Sequence, residues 1–229
     1  MPTHLVTGAS AGIGAAVAQA LAARGDELVL LARSDSRARD LAAAYPRART
    51  VIADLADPTG LAGALAGQEL PERLDSLVHS AGVVDLGAVA DLSVEAWRET
   101  LDVNLLAPAE LTRLCLPALR AARGHVVFVN SGSGLRANPH WSAYAASKHG
   151  LRALADSLRA EEQESGVRVT SVYPGRTATD MQAKVHRQEG KDYDPSHWIA
   201  PESVAATVLA ALDLPRDAEL TDVSVRPGP

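Results

Sequence analysis

THLVTGASAGIG, residues 3–14, decides the fold of this chain. The apolar run at 3–7 predicts a buried strand, and Gly8, Gly12 and Gly14 follow it directly. Glycine has no Cβ, so the backbone can turn sharply there and come close to a phosphate. A helix starting near Gly12 would aim unpaired N–H groups and its positive dipole end at that phosphate. The stretch predicts a strand–turn–helix unit that binds a dinucleotide, although its GxxxGxG spacing differs from the commoner GxGxxG.

Beyond this unit, short apolar runs alternate with alanine-rich helical segments. Strands are predicted at 3–7, 27–32, 49–53, 75–79, 125–130, 167–173 and 220–226, and helices at 12–24, 36–45, 58–67, 93–121, 143–164 and 201–212. Nearly continuous apolar strands separated by helices indicate an α/β fold: one doubly wound, Rossmann-like parallel sheet of about seven strands with helices on both faces.

The length of 229 residues predicts one domain over 1–229. We expect a cofactor half of about 1–90 and catalytic and substrate segments over about 91–229. Residues 176–200 lack clear periodicity and are rich in polar side chains. A loop of that length inside a compact domain is usually functional, so this segment is predicted to be a lid over the site.

Composition excludes several classes of function. The formal net charge of −6 and the absence of basic clusters argue against nucleic-acid binding. A single cysteine, Cys115, excludes an intramolecular disulfide and is typical of a reducing compartment, so a cytoplasmic protein is expected. No apolar run reaches membrane-spanning length. The seven histidines are scattered, and no ligand spacing predicts a metal site.

The end of the second predicted strand bears on the choice of cofactor. In dinucleotide folds an acidic residue at this place binds the ribose 2′-OH, whereas an arginine accommodates a 2′-phosphate. Here the strand ends Leu31-Ala32-Arg33, with no carboxylate. The pattern favours NADP(H) over NAD(H), with Arg33 as the phosphate ligand. The alternative is that Arg33 is a solvated surface charge.

Tyr144 and Lys148 are four residues apart in a predicted helix and therefore face the same side. An ammonium about 5 Å from a phenol, at an effective dielectric of about 20, lowers the phenol pKa by roughly 2 units. Ser131 ends the fifth predicted strand and could donate a hydrogen bond to a substrate oxygen, although Ser133 lies close enough to compete for that role. Together these residues predict a catalytic phenol beside a nicotinamide cofactor.

With these motifs the chain resembles the short-chain dehydrogenase/reductase family over nearly its whole length. The resemblance is carried by TGASAGIG at 7–14, Asp54-Leu55, Ala81-Gly82, Asn104, Ser131, Tyr144-x-x-x-Lys148 and PGRTAT at 174–179. It implies a catalytic tetrad of Asn104, Ser131, Tyr144 and Lys148. Ser131 is favoured over Ser133 because the family places its serine thirteen residues before the tyrosine.

The resemblance also implies a role for each residue of the site. Tyr144 would be the acid/base, Ser131 would polarise the carbonyl, Lys148 would also bind the nicotinamide ribose, and Asn104 would hold a proton-relaying water. Asp54 and Leu55 would contact the adenine, and Thr179 the carboxamide. The expected cofactor-binding residues are Gly8, Ser10, Gly12, Ile13, Gly14, Arg33, Asp54, Leu55, Ser80, Ala81, Gly82, Asn104, Tyr144, Lys148, Pro174, Gly175, Thr177 and Thr179.

Two positions depart from the family pattern. The usual Asn-Asn-Ala-Gly reads His79-Ser80-Ala81-Gly82, which changes the side chains near the adenosine ribose. Ala11 stands where many NADP-dependent members carry a basic residue, leaving Arg33 as the main candidate for the 2′-phosphate.

The expected activity is hydride exchange between NADP(H) and a ketone, an aldehyde or a secondary alcohol. An epimerase or dehydratase of the same family and a non-catalytic NADP(H)-binding regulator are the alternatives. Segments 84–92, 135–141 and 176–198 should wall the substrate pocket, and their Leu86, Leu135, Trp141, Met181 and Trp198 favour an apolar substrate. The alanine- and leucine-rich helices at 93–121 and 143–164 predict a homodimer or homotetramer.

Overall fold

Seven parallel strands form one sheet in the computed structural model, which describes residues 1–228. The strands are β1 Thr3–Thr7, β2 Glu27–Ala32, β3 Arg49–Ile52, β4 Ser76–His79, β5 His125–Val129, β6 Arg168–Pro174 and β7 Asp222–Val225. Their order is β3-β2-β1-β4-β5-β6-β7. The order reverses between β1 and β4, and such a switch point opens a crevice at the carboxyl ends of the strands. The predicted doubly wound sheet is confirmed.

Helices cover both faces of this sheet. They are α1 Gly12–Ala23, α2 Asp35–Ala44, α3 Leu61–Ala66, α4 Val94–Leu101, α5 Ala107–Ala122, α6 Ser142–Glu161, α7 Asp180–Glu189 and α8 Pro201–Asp213. One apolar core joins the sheet to α1, α2 and α8, and the other joins it to α3, α5 and α6. Burial on both faces explains why the strands read as continuous apolar runs. Every helix in residues 1–228 is too short or too polar to cross a lipid bilayer.

The helix predicted over 93–121 is interrupted. Ser93 caps α4 by accepting a hydrogen bond from the Ala96 N–H, and a π-helical turn, Asp102–Leu106, separates α4 from α5. A π turn inserts one extra residue and is frequent at functional sites. This one contains Asn104, whose side chain is fully buried. Similarly, the predicted helix at 58–67 is a 3₁₀ turn, Pro58–Gly60, followed by α3.

The segment 176–200, predicted as a loop, contains helix α7. Its sequence, DMQAKVHRQE, lacks the apolar periodicity of a helix, because the buried face consists of Gln182, Val185 and His186, only one of which is apolar. Local signals still define the ends. Thr179 caps the N-terminus by accepting from the Gln182 N–H, and Gly190 ends the helix at a φ of 66°. The segment therefore presents a formed helix beside the site rather than an irregular lid.

Candidate active site

A cleft of about 1440 Å³ opens along the carboxyl edge of the sheet. Most of the residues expected to contact the cofactor line it: Gly8, Ser10, Gly12, Ile13, Arg33, Asp54, Leu55, Ser80, Ala81, Gly82, Tyr144, Lys148, Pro174, Gly175, Thr177 and Thr179. Ser131 and Ser133 lie on the same wall. Two expected contacts, Gly14 and Asn104, lie behind the wall instead. The sequence motifs thus converge on a single cavity.

Each of the three glycines in the first turn is needed for its own structural reason. Gly8 and Gly12 adopt left-handed backbone conformations, with φ of +71° and +54°. A Cβ on Gly8 would lie 2.8 Å from the Ala81 nitrogen, so this glycine lets β1 and β4 continue into loops that touch. A Cβ on Gly14 would lie 2.3 Å from the Gly8 carbonyl oxygen. Gly14 therefore permits close packing of α1 on the turn and does not line the cleft, and its predicted cofactor contact stays a prediction.

The N-terminus of α1 fits the pyrophosphate of a dinucleotide. Its N-cap residue, Ala11, has no side chain able to cap the helix, and no acidic residue occupies the first turn. The unpaired N–H groups and the positive end of the helix dipole are left for an external anion. Ser10 and Ile13 face the cleft on either side of this helix start. The residues present thus match the cofactor that the motif predicts.

At the far end of the cleft, Arg33 is exposed at the carboxyl end of β2. Ser34 caps α2 by accepting a hydrogen bond from the Arg37 N–H, and the first turn of α2 lies beside the same cavity. Arg37 also lines the cleft and was not among the predicted contacts. Arg37 lies four residues after Arg33 and in the first turn of the helix, so its place beside the cleft could have been predicted from the sequence.

Tyr144 and Lys148 both project from α6 into the cleft and are almost fully buried. The Nζ atom of Lys148 lies 5.8 Å from the centroid of the Tyr144 ring. It also donates a hydrogen bond of 3.1 Å to the carbonyl oxygen of Val129, at the end of β5. The end of the central sheet therefore holds the ammonium beside the phenol, as the helical spacing predicted.

The protonation equilibria of this pair are governed by burial. Burial raises the pKa of Tyr144 above its usual value, and a hydrogen bond from Ser131 acts in the opposite direction. The net effect is a raised pKa, opposite to the lowering expected from Lys148, because loss of solvent around the phenolate outweighs the hydrogen bond from Ser131. Burial also lowers the pKa of Lys148 to about 8. At neutral pH the phenol is protonated and the lysine is predominantly cationic.

The two candidate serines are distinguished by their contacts. Ser131 follows β5, and its Oγ accepts the Ser133 N–H at 3.1 Å while its hydroxyl reaches Tyr144. Ser133 is buried in the short 3₁₀ turn Gly132–Gly134. Of the two, only Ser131 has a hydrogen bond that acts on the pKa of Tyr144, and the choice of Ser131 over Ser133 stays a prediction.

Asn104 supports the site from behind the wall. Its Nδ2 donates to the Val83 carbonyl oxygen at 2.9 Å and to Ser147 Oγ at 3.1 Å, and its Oδ1 accepts from the Val83 N–H at 2.8 Å. Val83 follows Gly82, which lines the cleft. Asn104 thereby connects the π-helical turn, the loop after β4 and α6.

His79, which departs from the family pattern, is part of the protein interior. Its Nε2 lies 2.9 Å from Thr112 Oγ1, and its ring stacks on Phe128 with centroids 5.0 Å apart. Burial, reinforced by the positive charge of Lys148, lowers the pKa of His79 to about 3, so the imidazole is neutral. The loop after His79 keeps its position because Thr7 Oγ1 accepts the N–H groups of Ser80 and Ala81, each at 3.1 Å.

Apolar side chains form the wall beside Tyr144. Val84, Leu86, Trp141 and Val185 cluster around the phenol, and the Trp141 ring meets it edge-on at 5.7 Å. Leu135 and Met181 also line the cleft. Trp198 packs instead against His186 and beneath Arg176, so the prediction that Trp198 faces the substrate is wrong.

Helix α7 is attached to the opposite wall by polar contacts. Lys184 Nζ donates to the Val84 carbonyl oxygen at 2.7 Å and lies 3.3 Å from a carboxylate oxygen of Asp85. Gln188 donates to the same carboxylate and accepts the Leu86 N–H at 3.2 Å. These contacts place α7 over the apolar wall as a cover of the catalytic end.

The family model for short chain dehydrogenases matches residues 2–190. An uncharacterised short-chain type dehydrogenase/reductase, y4eK, from Sinorhizobium fredii is 35% identical over 228 residues, covering 97% of this chain and 90% of that protein. Dehydrogenase/reductase SDR family member 7B from Bos taurus is 34% identical over 227 residues, covering 91% of this chain and 69% of that protein.

Solved structures show the same fold. An alcohol dehydrogenase from the archaeon Thermococcus sibiricus, complexed with 5-hydroxy-NADP, superimposes with a TM-score of 0.83 at 26% identity, covering 99% of this chain and 97% of that one. A putative NAD(P)-dependent gluconate 5-dehydrogenase from Beutenbergia cavernae with bound NADP gives 0.83 at 30% identity, covering 98% and 95%. With the tyrosine, lysine and glycine turn arranged around one cleft, the chain belongs to the short-chain dehydrogenase/reductase family, and its relatives point to an oxidoreductase that acts on CH–OH groups.

Proposed function

We propose that this chain is an NADP(H)-dependent carbonyl reductase in which Tyr144 is the acid/base. The observation that carries the proposal is the placement of the buried Tyr144 beside the Lys148 ammonium, in the cleft that Ser131 and the glycine turn also line. A bound nicotinamide dinucleotide supplies or accepts the hydride. Residues of about 1–90 hold this cofactor, and the later segments carry the acid/base and substrate groups.

Tyr144 and Ser131 act on the oxygen of the reacting carbonyl. Ser131 donates a hydrogen bond that polarises the C=O group, and Tyr144 gives its proton as the oxygen becomes an alkoxide. The product is an alcohol, and the phenolate recovers a proton from solvent. Burial favours the protonated phenol, which is the form needed for reduction.

Lys148 stabilises the phenolate that forms when the proton leaves. With a pKa of about 8 it carries a positive charge at neutral pH, and the Val129 carbonyl keeps its ammonium near the phenol. Asn104 keeps the loop at Val83 fixed beside the cleft. The water-holding role of Asn104 and the ribose contact of Lys148 are extensions of the family resemblance.

Arg33 supports the choice of NADP(H) over NAD(H). It is exposed on the cleft at the end of β2, next to Ala32, and no carboxylate stands there to accept from a ribose 2′-OH. Arg37, whose guanidinium also pairs with Asp40 at 3.4 Å, is a second cation in the first turn of α2. A 2′-phosphate would therefore meet two cations.

Assembly into a dimer or tetramer is part of the same proposal. Leu106 and Val94 are 48% and 57% exposed, which leaves apolar surface on the α4–α5 side. An isologous contact between copies would cover it. Light scattering at micromolar concentration should give a multiple of 23.9 kDa, and a monomer mass would contradict this part.

The test of the proposed activity is NADPH oxidation followed by absorbance across a panel of neutral aromatic and aliphatic ketones and aldehydes. Turnover of at least one carbonyl, with the alcohol identified as product, is the expected result. NADPH binding without turnover of any carbonyl or alcohol would favour the non-catalytic regulator. Isomerisation of a hydroxylated substrate without net cofactor consumption would favour the epimerase.

A further inference from the structure

Two guanidinium groups on the cleft wall lack an acidic partner among the described residues. Arg136 follows the 3₁₀ turn Gly132–Gly134, and Arg226 follows β7. Both line the cleft. Within residues 1–228, no carboxylate lies within 4.0 Å of either group. A guanidinium is a rigid, permanently charged fork that matches a carboxylate, so each of the two is a candidate ligand for an anion in the cleft.

Other cations near the catalytic end have acidic partners. Arg176 and Lys191 share Glu189, at 2.7 Å and 3.2 Å, and Lys184 pairs with Asp85. Lys148 is occupied by its hydrogen bond to the Val129 carbonyl and by its position beside the phenol.

Acidic side chains also line the cleft, but they come from other elements. Glu99 projects from α4, and Asp180 is the first residue of α7. Neither forms an ion pair with a described cation. Asp54 lies in the loop after β3, so these three acids come from other elements than Arg136 and Arg226, which follow the strand-end segments around the catalytic serine.

Arg226 is placed directly against the segment of the catalytic serine. A Cβ added to Gly132 would lie 2.8 Å from Arg226 Nη1, so the guanidinium packs on the backbone of the residue that follows Ser131. Glycine at 132 leaves the room for this contact. Gly132 directly follows Ser131, and Arg226 and Ser131 line the same cleft.

We infer that Arg226, assisted by Arg136, binds the carboxylate of an oxo acid or hydroxy acid whose reacting carbon is held by Ser131 and Tyr144. This inference rests on the proposed carbonyl reductase activity and names its substrate class. The apolar wall around Trp141 and Leu86, which packs against the phenol, takes the rest of such a substrate. The substrate is then amphipathic, with an anionic end and an apolar end.

Matched acid and ester probes test the inference. Benzoylformate and 4-oxopentanoate are compared with their methyl esters, which keep the carbonyl and remove the charge. Reduction by NADPH gives kcat/KM for each, and calorimetric titration of benzoylformate into protein saturated with NADP⁺ gives its affinity without turnover. We expect at least one acid to exceed its ester in kcat/KM, and benzoylformate to bind more tightly than methyl benzoylformate.

Variants separate this site from a general charge effect. Arg226→Gln should lower the acid-to-ester ratio of kcat/KM and the benzoylformate affinity by roughly tenfold, the loss typical of a hydrogen bond to a charged group. Gly132→Ala should act in the same direction, because its methyl group displaces a flexible side chain. Arg187→Gln removes the same charge from the exposed side of α7, away from the cleft, and should preserve the ratio.

The possible outcomes distinguish the two proposals. Reduction of esters and acids with equal efficiency, and a ratio that Arg226→Gln does not change, would overturn the carboxylate site and leave the reductase standing. Absence of any reduction would overturn the reductase. In that case, tight benzoylformate binding that Arg226→Gln weakens would still support the carboxylate site, and equal binding of acid and ester would contradict it.

Discussion

The side chain of Asn104 replaces a strand partner for Val83, accepting from its N–H at 2.8 Å and donating to its C=O at 2.9 Å. Both backbone groups would otherwise lack a partner, because the π-helical turn and the loop after β4 meet without forming a ladder. The third hydrogen bond of Asn104 reaches Ser147 on α6, one residue before Lys148. One amide thus couples the floor of the cofactor cleft to the helix that carries the acid/base pair.

Asn104→Ala should therefore destabilise the protein by about 2–4 kcal/mol, because it leaves two buried backbone groups unpaired. Asn104→Asp should keep the hydrogen bond from the Val83 N–H and lose the one to the Val83 carbonyl. Urea denaturation should therefore show a smaller loss of stability than for Asn104→Ala. Gln163→Ala removes an exposed amide and serves as the control. An Asn104→Ala variant as stable as the parent would contradict the bracing role.

Tyr144→Phe removes the proton donor and keeps the ring that packs against Trp141. General acid catalysis contributes about 10²–10⁴-fold, so turnover of any carbonyl that the parent reduces should fall by that factor. NADPH affinity should change little, as measured by fluorescence titration. Tyr45→Phe removes a hydroxyl that bonds the Ala15 carbonyl at 3.3 Å, distant from the acid/base pair, and should retain turnover. Equal turnover of Tyr144→Phe and the parent would exclude Tyr144 as the acid.

The sequence was sufficient for the sheet and for the edge at which the site lies. The apolar strands and the glycine turn are local patterns, and parallel topology brings their carboxyl ends together. Helix α7 was missed because Gln182 and His186 occupy its buried face, where periodicity analysis looks for apolar residues. The raised pKa of Tyr144 was missed for a different reason, since spacing gives the distance to a cation but not the loss of solvent.

Arg226 illustrates a further limit of sequence reasoning. Its proximity to Gly132 depends on β7 pairing with β6, which brings the end of the chain beside the end of β5. No motif connects the two positions, and a single arginine after an edge strand carries no pattern. Only the assembled sheet relates Arg226 to Ser131.

Arg33→Ala should weaken NADPH binding by about tenfold to 100-fold, the range for losing a hydrogen bond to a charged group, and leave NADH binding nearly unchanged. Ala32→Asp should go further, because a carboxylate repels the 2′-phosphate and accepts from a 2′-OH. Arg39→Ala, an equally exposed arginine of α2 that does not line the cleft, is the control. Titration of the parent with both cofactors tests the NADP(H) preference itself, and tighter binding of NADH would contradict it.

Two buried imidazoles should make the protein sensitive to mild acid. Burial lowers the pKa values of His79 and His125 to about 3, below the ordinary value of 6.5. Between these values the unfolded chain binds protons that the folded protein does not, so stability is lost as pH falls below about 6.5. Each histidine contributes a slope of about 1.4 kcal/mol per pH unit.

His79→Asn should reduce that slope by one proton equivalent between pH 6 and 5, where carboxylates contribute little. Urea denaturation at several pH values measures it. His197→Asn alters an exposed imidazole and should leave the slope unchanged. A slope identical in the parent and His79→Asn would show that His79 is accessible to protons in the folded protein.

Replacing Lys148 should abolish turnover and at the same time make the protein more stable. Burial lowers the pKa of its ammonium from 10.5 to about 8, so folding at pH 7 includes the cost of removing a charged group from water. Lys148→Met keeps an unbranched chain of similar size and removes that cost, although it leaves the Val129 carbonyl without its hydrogen bond. We expect the variant to be about 1–2 kcal/mol more stable than the parent at pH 7 and to have lost turnover and NADPH affinity.

The pH dependence separates this explanation from simple repacking. Above pH 8 the folded parent releases the Lys148 proton while the unfolded chain still holds it, so the parent gains stability up to about pH 10. The advantage of Lys148→Met should therefore shrink between pH 7 and 9.5 in urea denaturation. A constant difference across that range would mean that the lysine is not titrating in the folded protein, and a less stable variant at pH 7 would mean that its hydrogen bond outweighs its desolvation.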